Sequence, residues 1–318
     1  MLTRATGEGM VLDRYGRPLT SARISITHRC NLNCIYCHSE GVTDKPQEEM
    51  TPEEITRITE LLARRGVTKV KLTGGEPLVR RDVCDIVSGI ADVEGIMEVS
   101  MTTNGVYMDK FAEELKEAGL RRVNVSLDTL NKDVFNDLTR VGDLPTVLHG
   151  VESALNAGLK PVKLNMVVMK GINENEIQNM LKFCSRDGLI LQLIELMTTG
   201  NGLFRKHFYD LDEVEAGFEK VARGVITRKF MQGRRKYLLN GAQVEVVKPM
   251  HNTEFCSNCS RIRVTADGKF KPCLMRKDNL IDFLSEMRNG ASDEELEGLF
   301  ESAMHNREPF FKKPEIVS

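Results

Sequence analysis

Apolar and polar positions follow two different periods along the first two thirds of the chain. Short runs rich in apolar and β-branched residues are separated by stretches in which apolar residues recur every three or four positions. The short runs are typical of buried strands, and the periodic stretches are typical of amphipathic helices. The six predicted strands span residues 23–27, 68–73, 97–103, 121–127, 161–169 and 189–197.

The helical stretches between these strands have recognisable ends. Thr51 and Glu54 are spaced as a capping box with Pro52 at the first helical position, and Gly66 follows the last apolar residue of that helix. Glycine often lies just beyond the end of a helix, because it adopts the left-handed conformation at little cost. The later helical patterns also end at glycines, namely Gly119, Gly158 and Gly188.

These six strand-then-helix units predict an α/β fold. Such units form a parallel sheet, which we expect to curl into a complete or partial TIM-like barrel with functional residues at the carboxyl ends of its strands. An open, doubly wound sheet is the alternative.

The pattern changes after about residue 224. Short, closely spaced strands are predicted at 225–230, 235–239, 243–247 and 261–265, and we expect them to be antiparallel. Residues 280–305 read as two helices. We therefore predict a core barrel over residues 1–223 and an α+β extension over residues 224–318.

The charge balance excludes some classes of partner. The 318 residues include 44 Lys and Arg against 46 Asp and Glu, so the formal net charge is −2. Such a chain has no long-range attraction for DNA, RNA or an anionic membrane, and any anionic ligand must be bound by local cations. No stretch approaches the ~18 apolar residues of a membrane span, and the first residues lack the apolar core of a signal peptide. We therefore expect a cytoplasmic protein.

Six of the eight cysteines fall into two groups of three, and the first group follows the first strand. It consists of Cys30, Cys34 and Cys37, which we call the first cysteine group. Closely spaced cysteines in a reducing compartment bind metal or perform redox chemistry more often than they form disulfides. A zinc site could complete its four ligands with His28 or His38. An iron–sulfur cluster would instead leave one iron open as a reaction site.

The second cysteine group consists of Cys256, Cys259 and Cys273. Taken alone, its C-x-x-C pair is compatible with half of a zinc site or with a redox pair. Two groups of three in one chain favour two iron–sulfur clusters, each with an open iron. Cys84 and Cys184 lie on helical patterns among apolar residues, and we expect them to be buried structural thiols.

Motifs after several strands resemble those of a known superfamily. The first cysteine group, with Tyr36 before its last cysteine, resembles the cluster loop of radical S-adenosylmethionine enzymes. Residues 73–77 (Thr-Gly-Gly-Glu-Pro) resemble the motif that meets the methionine end of the cofactor in these enzymes. Three further strand ends match in order, at residues 102–105, 125–128 and 195–197.

The C-terminal motifs narrow this resemblance. Residues 256–263, 266–269 (Ala-Asp-Gly-Lys) and 272–274 (Pro-Cys-Leu) are similar to the C-terminal cluster region of the GTP 3′,8-cyclase family. The resemblance extends from about residue 13 to about residue 277. It implies a radical SAM lyase that converts GTP to (8S)-3′,8-cyclo-7,8-dihydroguanosine 5′-triphosphate, the first step of molybdenum cofactor biosynthesis.

Other functions fit parts of this pattern. A radical SAM enzyme with an auxiliary cluster that acts on a peptide is the alternative enzyme. A non-catalytic iron–sulfur sensor or zinc-stabilised binding module would require the match at residues 73–77 to be accidental.

The resemblance also implies cofactors and roles for individual residues. The first cysteine group would bind a 4Fe-4S cluster whose open iron chelates S-adenosylmethionine, and these cysteines would be catalytic because an electron from the cluster generates the 5′-deoxyadenosyl radical. A second 4Fe-4S cluster on the second cysteine group would hold the guanine. The implied S-adenosylmethionine contacts are Tyr36, Gly75, Ser126 and Met197. The implied GTP contacts are Arg23, Lys71, Thr102, Lys163, Arg261 and Arg263. The implied partners are a ferredoxin-like or flavodoxin-like reductant, a second copy in a homodimer, and the downstream pyranopterin monophosphate synthase.

Physical reasoning supports the cationic part of this site. Arg261 and Arg263 are two positions apart on a predicted strand, so their side chains share one face of the sheet. Lys71 and Lys163 lie on otherwise apolar barrel strands, where a charge is costly unless it meets a ligand or counter-ion.

The chain departs from the family pattern at three places. Better-known bacterial members of the family carry arginine at the positions of Lys71 and Gln192, and they end in Gly-Gly where this sequence has residues 314–318 (Pro-Glu-Ile-Val-Ser).

Overall fold

The six predicted strands are all present in a computed structural model of the chain, which describes residues 11–42, 48–186, 188–198, 202–229 and 231–312. The strands are β1 (Ser21–Ser25), β2 (Lys69–Thr73), β3 (Glu98–Thr103), β4 (Leu120–Ser126), β5 (Val162–Val168) and β6 (Leu189–Glu195). Each strand pairs in parallel with the next one along the chain. The predicted parallel sheet is therefore confirmed.

Helices connect successive strands of this sheet. They are α1 (Pro52–Arg64), α2 (Val83–Ala91), α3 (Met108–Glu117), α4 (Lys132–Thr139), α5 (Leu144–Asn156) and α6 (Ile177–Phe183). The capping box at the start of α1 is confirmed, because Thr51 and Glu54 exchange hydrogen bonds and Pro52 begins the helix. Parallel crossovers are right-handed, so strands added in one direction place their helices on one face of the sheet.

The sheet is curved into a partial barrel. Its strand order does not reverse between β1 and β6, whereas a doubly wound sheet reverses direction. Side chains from the distant strands β1 and β6, among them Arg23 and Gln192, also line one common cavity. The doubly wound alternative is therefore wrong.

The C-terminal half adds strands to both edges of this sheet. Its strands are β7 (Gly224–Arg228), β8 (Arg234–Leu238), β9 (Gln243–Val247), β10 (Arg261–Val264), β11 (Lys269–Lys271) and β12 (Ile281–Asp282). Its helices are α7 (Leu203–His207), α8 (Asp212–Val221), α9 (Thr253–Ser257), α10 (Leu284–Arg288) and α11 (Asp293–His305). The described strands form one sheet in the order β12-β11-β10-β1-β2-β3-β4-β5-β6-β9-β8-β7.

The expectation that the C-terminal strands are all antiparallel is wrong for two pairings. Strand β9 pairs in parallel with β6, and β10 pairs in parallel with β1. The physical reason is burial, since Val244 and Val246 on β9 and Ile262 and Val264 on β10 are core residues. Apolar strands of this kind are stabilised inside a sheet, and they cover the edges that β1 and β6 would otherwise expose.

The core continues into the last helices of the described chain. The Phe270 ring lies 5.0 Å from the Phe283 ring and 5.9 Å from the Phe300 ring, measured between centroids. Cys184 is buried in the main core, as predicted, and Cys84 is half-buried against it. Within the described residues, no helix has the length and apolar character needed to cross a bilayer.

Candidate active site

A cavity of about 290 Å³ lies inside the curved sheet, with walls formed by residues of β1 to β6, β9 and β10. It brings together the whole second cysteine group, three predicted S-adenosylmethionine contacts (Tyr36, Ser126 and Met197) and all six predicted GTP contacts, which are Arg23, Lys71, Thr102, Lys163, Arg261 and Arg263. The first cysteine group and Gly75 are not among its lining residues. Tyr36 and His38 do line it, so the loop of the first cysteine group lies at its edge.

The two arginines on β10 face the cavity, as the alternation predicts. Arg261 and Arg263 line it, while Ile262 and Val264 pack into the core on the opposite face. Burial lowers the pKa of Arg261 well below its ordinary value. The neighbouring cations lower it further, and Arg23 has the largest effect among them. This wall of the cavity therefore holds several cations that repel one another.

Glu40 binds two of these cations. Its carboxylate forms ion pairs with Arg263 and with Arg23, the latter at 3.5 Å, and accepts a hydrogen bond from Thr73 Oγ1 at 2.9 Å. Burial alone would raise the pKa of Glu40, but Arg263 and Arg23 outweigh burial and lower it to about 2. Glu40 is therefore a half-buried, charged counter-ion inside the predicted GTP site.

Lys71 on β2 lines the cavity and has no such counter-ion among the described residues. Its Nζ donates to Asn124 Oδ1 at 2.7 Å, and it forms no ion pair with a described residue. Burial lowers its pKa well below the ordinary value, with a further contribution from Arg122. A bound anion would restore the stability of the charged amine at this position.

A second carboxylate organises the cations that β5, β7 and β8 contribute. Glu245 is fully buried and forms ion pairs with Lys163, with Arg228 at 3.2 Å and with Arg234 at 3.5 Å. Burial opposes its charge, but Lys163 and Arg234 lower its pKa to about 2. Burial lowers the pKa of Lys163 to about 8 despite its ion pair with Glu245. Three cations thus share one carboxylate.

The second cysteine group is held by arginines from both ends of the described chain. Arg17 donates to the Cys256 carbonyl oxygen at 3.0 Å, and Arg307 donates to the Cys259 carbonyl oxygen. Asp13 joins the two guanidinium groups, with distances of 2.8 Å to Arg17 and 3.0 Å to Arg307. Burial would raise the pKa of the Cys259 thiol, but Arg307 and Arg261 outweigh burial and lower it. These arginines therefore stabilise the thiolate form of Cys259 relative to that of an ordinary thiol.

The loop of the first cysteine group packs directly on residues 74–76. A Cβ atom on Gly75 would collide with the carbonyl oxygen of Arg29, so only glycine allows this approach. Glu76 N donates to the same carbonyl oxygen at 2.8 Å. The Glu76 carboxylate accepts hydrogen bonds from Thr103 Oγ1 at 2.7 Å and from Asn104 N at 2.6 Å. Burial raises the pKa of Glu76 to about 7. This network fixes the cysteine loop on the ends of β2 and β3.

Tyr36 anchors the other side of this loop. Its hydroxyl donates to Asp128, which also accepts a hydrogen bond from Val167 N at 2.8 Å. Burial raises the pKa of Asp128 to about 6, although both hydrogen bonds favour its charged form. The aromatic residue between Cys34 and Cys37 is therefore tied to the barrel strands β4 and β5.

The donor set of both groups suits iron–sulfur clusters. Cys30 and Cys37 each contribute to a raised pKa of Cys34, after the larger contribution of burial and that of Asp128, so the three thiols lie near one another. Backbone N–H groups point at sulfur, from Leu32 to Cys30 at 3.4 Å and from Phe311 to Cys256 at 3.5 Å. The described residues include no group of three or more His, Cys, Asp or Glu side chains placed to share one metal ion. A four-iron cluster does not need such convergence, because each thiolate binds a different iron.

Sequence comparisons agree with this arrangement. Residues 24–184 match the Radical SAM superfamily, and residues 189–313 match Molybdenum Cofactor Synthesis C. The probable GTP 3′,8-cyclase of Thermococcus kodakarensis is 50% identical over 95% of this chain and 100% of its own length. The probable GTP 3′,8-cyclase of Methanocaldococcus jannaschii is 46% identical over 94% of this chain and 99% of its own length. The chain belongs to the GTP 3′,8-cyclase family.

Solved structures share the fold of this GTP 3′,8-cyclase family member. Streptococcus suis SuiB bound to S-adenosylmethionine has a TM-score of 0.63 and is 16% identical, over 90% of this chain and 69% of that chain. His-tagged anSMEcpe with bound AdoMet has a TM-score of 0.61 and is 16% identical, over 93% of this chain and 81% of that chain. This likeness supports the radical SAM partial barrel.

Several residues of the site in this family member are missing from the sequence prediction. They are Arg17, Glu40, Arg234, Glu245 and Arg307. Arg17 and Arg307 meet across a separation of 290 positions, so no local motif could have paired them. Arg234 and Glu245 lie on short strands, and the sequence pattern there does not distinguish a charged residue that faces a cavity from one that faces solvent. Residues 314–318, which replace the Gly-Gly ending, lie outside the described residues.

Proposed function

We propose that this protein is a radical SAM GTP 3′,8-cyclase that converts GTP to (8S)-3′,8-cyclo-7,8-dihydroguanosine 5′-triphosphate. The observation that carries the proposal is one cavity in which the second cysteine group and five predicted substrate-binding cations lie together. In a nucleotide bound there, the base would contact the second cysteine group and the phosphates would contact the cations of the same cavity. Membership of the family supports the same conclusion.

The electrostatics of the cavity suit a triphosphate. GTP carries about four negative charges, which need hydrogen-bonding cations when they leave water. The cavity supplies them from separate strands, as Arg23 on β1, Lys71 on β2, Lys163 on β5 and Arg261 and Arg263 on β10. This concentration of charge exists although the net charge of the chain is only −2. A peptide substrate would not require it.

The two cysteine groups have different tasks in this proposal. Cys30, Cys34 and Cys37 bind a 4Fe-4S cluster next to the S-adenosylmethionine contacts Tyr36, Gly75, Ser126 and Met197. When bound, the cluster and S-adenosylmethionine supply the 5′-deoxyadenosyl radical that begins the reaction. Cys256, Cys259 and Cys273 would hold the second cluster, which would supply an open iron for binding the guanine. The close contact of Gly75 with the Arg29 backbone and the Tyr36–Asp128 hydrogen bond hold the loop of the first cysteine group in place.

Binding of GTP requires a rearrangement of ion pairs. Arg23 and Arg263 are paired with Glu40, and Lys163 is paired with Glu245. Phosphate oxygens would compete for the same guanidinium and ammonium groups, while Lys71 is already without a carboxylate among the described residues. The protein therefore holds these cations in place with two carboxylates, Glu40 and Glu245, before substrate binds.

We also propose the organisation and partners that the family resemblance implies. The core covers residues 1–223 and the C-terminal region covers residues 224–318. The enzyme works in the cytoplasm as a homodimer, receives electrons from a ferredoxin-like or flavodoxin-like protein, and passes its product to pyranopterin monophosphate synthase.

An anaerobic assay tests the proposed reaction. The reconstituted protein, incubated with S-adenosylmethionine, dithionite and GTP, should form 5′-deoxyadenosine in step with loss of GTP. Formation of 5′-deoxyadenosine without consumption of GTP contradicts the proposal and leaves a radical enzyme with another substrate. Zinc in place of iron after reconstitution contradicts both enzyme functions.

A further inference from the structure

The hairpin of β7 and β8 brings an arginine to the cavity from outside the six-stranded barrel. Arg234, the first residue of β8, lines the cavity, and its side chain is only 11% exposed. The next residue, Arg235, has a side chain 49% exposed and pairs with Glu219. Successive residues of a strand point to opposite faces, so Arg234 faces the cavity and Arg235 faces the outer surface.

The hydrogen bonds of the Arg234 guanidinium are incomplete. Its Nη2 donates to Gln232 Oε1 at 2.5 Å, and its Nη1 lies 3.5 Å from Glu245 Oε1. Its buried Nε has no acceptor within the described part of the chain. A buried N–H without a partner reduces stability, and an ion pair at 3.5 Å is long. Arg234 therefore has donor capacity that an anion in the cavity would use.

The surroundings of Arg234 match the predicted nucleotide site. Its guanidinium lies 5.7 Å from the centre of the Phe255 ring, next to Cys256 of the second cysteine group. It is close enough to Arg23 and Arg261 to lower the pKa of both arginines, in each case after the larger effect of burial. Both of those arginines are proposed to bind GTP.

Among the described residues, the cations around Glu245 outnumber the carboxylates paired with them. Glu245 is shared among Lys163, Arg228 and Arg234. In the sheet Glu245 pairs with Gln192, which lines the cavity but is neutral. The β7–β8 hairpin therefore brings two positive charges to this one carboxylate, Arg228 from β7 and Arg234 from β8.

We propose that Arg234 is a further phosphate-binding residue, which donates from Nε, and from the Nη2 N–H on the same edge of the guanidinium, to oxygens of the GTP phosphate chain. This inference rests on the proposed function, because it takes GTP as the occupant of the cavity. The planar guanidinium group can hold a phosphate through two parallel hydrogen bonds, whereas a lysine at this position would offer a point charge. Glu245 orients the guanidinium until the phosphate binds.

Equilibrium binding to the anaerobically reconstituted protein tests this assignment. Arg234→Gln is compared with Arg235→Gln, a matched change one residue along the same strand. The ligands are GTP and guanosine, which lacks phosphates. We expect Arg234→Gln to weaken GTP binding by about tenfold or more and guanosine binding by less than about twofold, because a charge-assisted hydrogen bond is lost only with GTP. We expect Arg235→Gln to change neither affinity.

The outcomes separate this inference from the proposed function. Wild-type protein that binds no GTP overturns both. Wild-type protein that binds GTP, with Arg234→Gln equal to Arg235→Gln, overturns only the role of Arg234. Equal weakening of GTP and guanosine binding would assign Arg234 to the structure of the pocket and would also overturn it. Arg234→Lys, which keeps the charge, should give an intermediate GTP affinity, and this variant replaces Arg234→Gln if the latter has a lower iron content or melting temperature.

Discussion

Gly41 lies against the main chain of Leu274, so that a Cβ atom on residue 41 would be 2.6 Å from the Leu274 carbonyl oxygen. Gly41 follows the first cysteine group, and Leu274 directly follows Cys273 of the second. Glu40, which directly precedes Gly41, forms ion pairs with Arg23 and Arg263. The two cysteine-bearing segments therefore touch through their backbones at the place where the predicted substrate cations are oriented.

Replacement of Gly41 by alanine should separate these segments. The backbone of Gly41 has a φ of +72°, and that of Gly171 has a φ of +73° with open space around its missing Cβ. Both Gly41→Ala and Gly171→Ala should lose about 1 kcal/mol of stability from the left-handed conformation. Only Gly41→Ala should also weaken GTP binding, because its Cβ displaces Leu274. Equal melting temperatures and equal GTP affinities in the two variants would contradict this contact.

Glu245→Gln should destabilise the protein in a pH-dependent manner. Loss of the carboxylate leaves Lys163 and Arg234, and the partly exposed Arg228, without their shared partner, which should cost about 3 kcal/mol or more at neutral pH. The pKa of Glu245 falls from 4.5 to about 2 on folding, so the carboxylate stabilises the fold above pH 4.5 and this stabilisation is lost as the pH falls toward 2.

Melting temperatures between pH 2 and pH 7 measure this effect. The difference between wild type and Glu245→Gln should be largest above about pH 4.5 and should shrink on acidification. Glu219→Gln, which removes a half-exposed carboxylate, is the control. A difference that is constant across the pH range would show that Glu245 acts by shape alone.

Tyr36→Phe should loosen the loop of the first cysteine group. The variant removes the hydroxyl that donates to Asp128 and leaves this buried carboxylate with the Val167 N–H. A loss of about 1–3 kcal/mol of stability is expected for an under-satisfied buried group. The affinity for S-adenosylmethionine and the retention of iron should fall together. Tyr107→Phe is the control, since the Tyr107 hydroxyl makes no hydrogen bond with a described residue, and equal behaviour of both variants would exclude the anchor.

Cys273→Ala should distinguish the two cysteine groups. The variant should retain about half of the iron and still bind S-adenosylmethionine, because Cys30, Cys34 and Cys37 are unchanged. GTP binding and cyclisation should be lost, since the second group lines the substrate cavity. Cys84→Ala, a change at a half-buried cysteine on α2, should retain all the iron. Cyclisation by Cys273→Ala would remove the second cluster from the mechanism.

Arg261→Gln should stabilise the GTP-free protein while it weakens substrate binding. Arg261 is half-buried among cations, of which Arg23 and Arg234 depress its pKa most after the effect of desolvation. Removal of one charge relieves this repulsion, so the melting temperature without GTP should rise. The affinity for GTP should fall by about tenfold, and the affinity for S-adenosylmethionine should not change. A lower melting temperature with equal losses for both ligands would indicate a structural role instead.

The sequence predicts the barrel strands well because each is a local pattern. All six predicted strands overlap the observed ones, and the helix start at Pro52 is the predicted one. The pairing of strands is harder to predict, because the alternation of apolar and polar residues indicates a strand but not the strand beside it. Residues 243–247 and 261–264 are strands as predicted, yet both join the barrel in parallel.

The candidate site shows the same division. Arg261 and Arg263 could be placed on one face from their spacing, and Lys71 and Lys163 from their apolar neighbours. Glu40 and Glu245 could not, because nothing near them in sequence shows that they bind cations from other strands. Sequence reasoning thus finds the charges that contact a ligand more readily than the opposite charges that hold them.

The pairing of β1 with β10 also has a consequence for the newly made chain. Strand β1 leaves the ribosome well before its partner at residues 261–264, which is synthesised only after β2 to β9. Until then β1 has an uncovered edge, and the thiols of Cys30, Cys34 and Cys37 follow it directly. Uncovered strand edges are where chains associate wrongly. Translation therefore includes a long interval in which this end of the protein is most exposed to aggregation and oxidation.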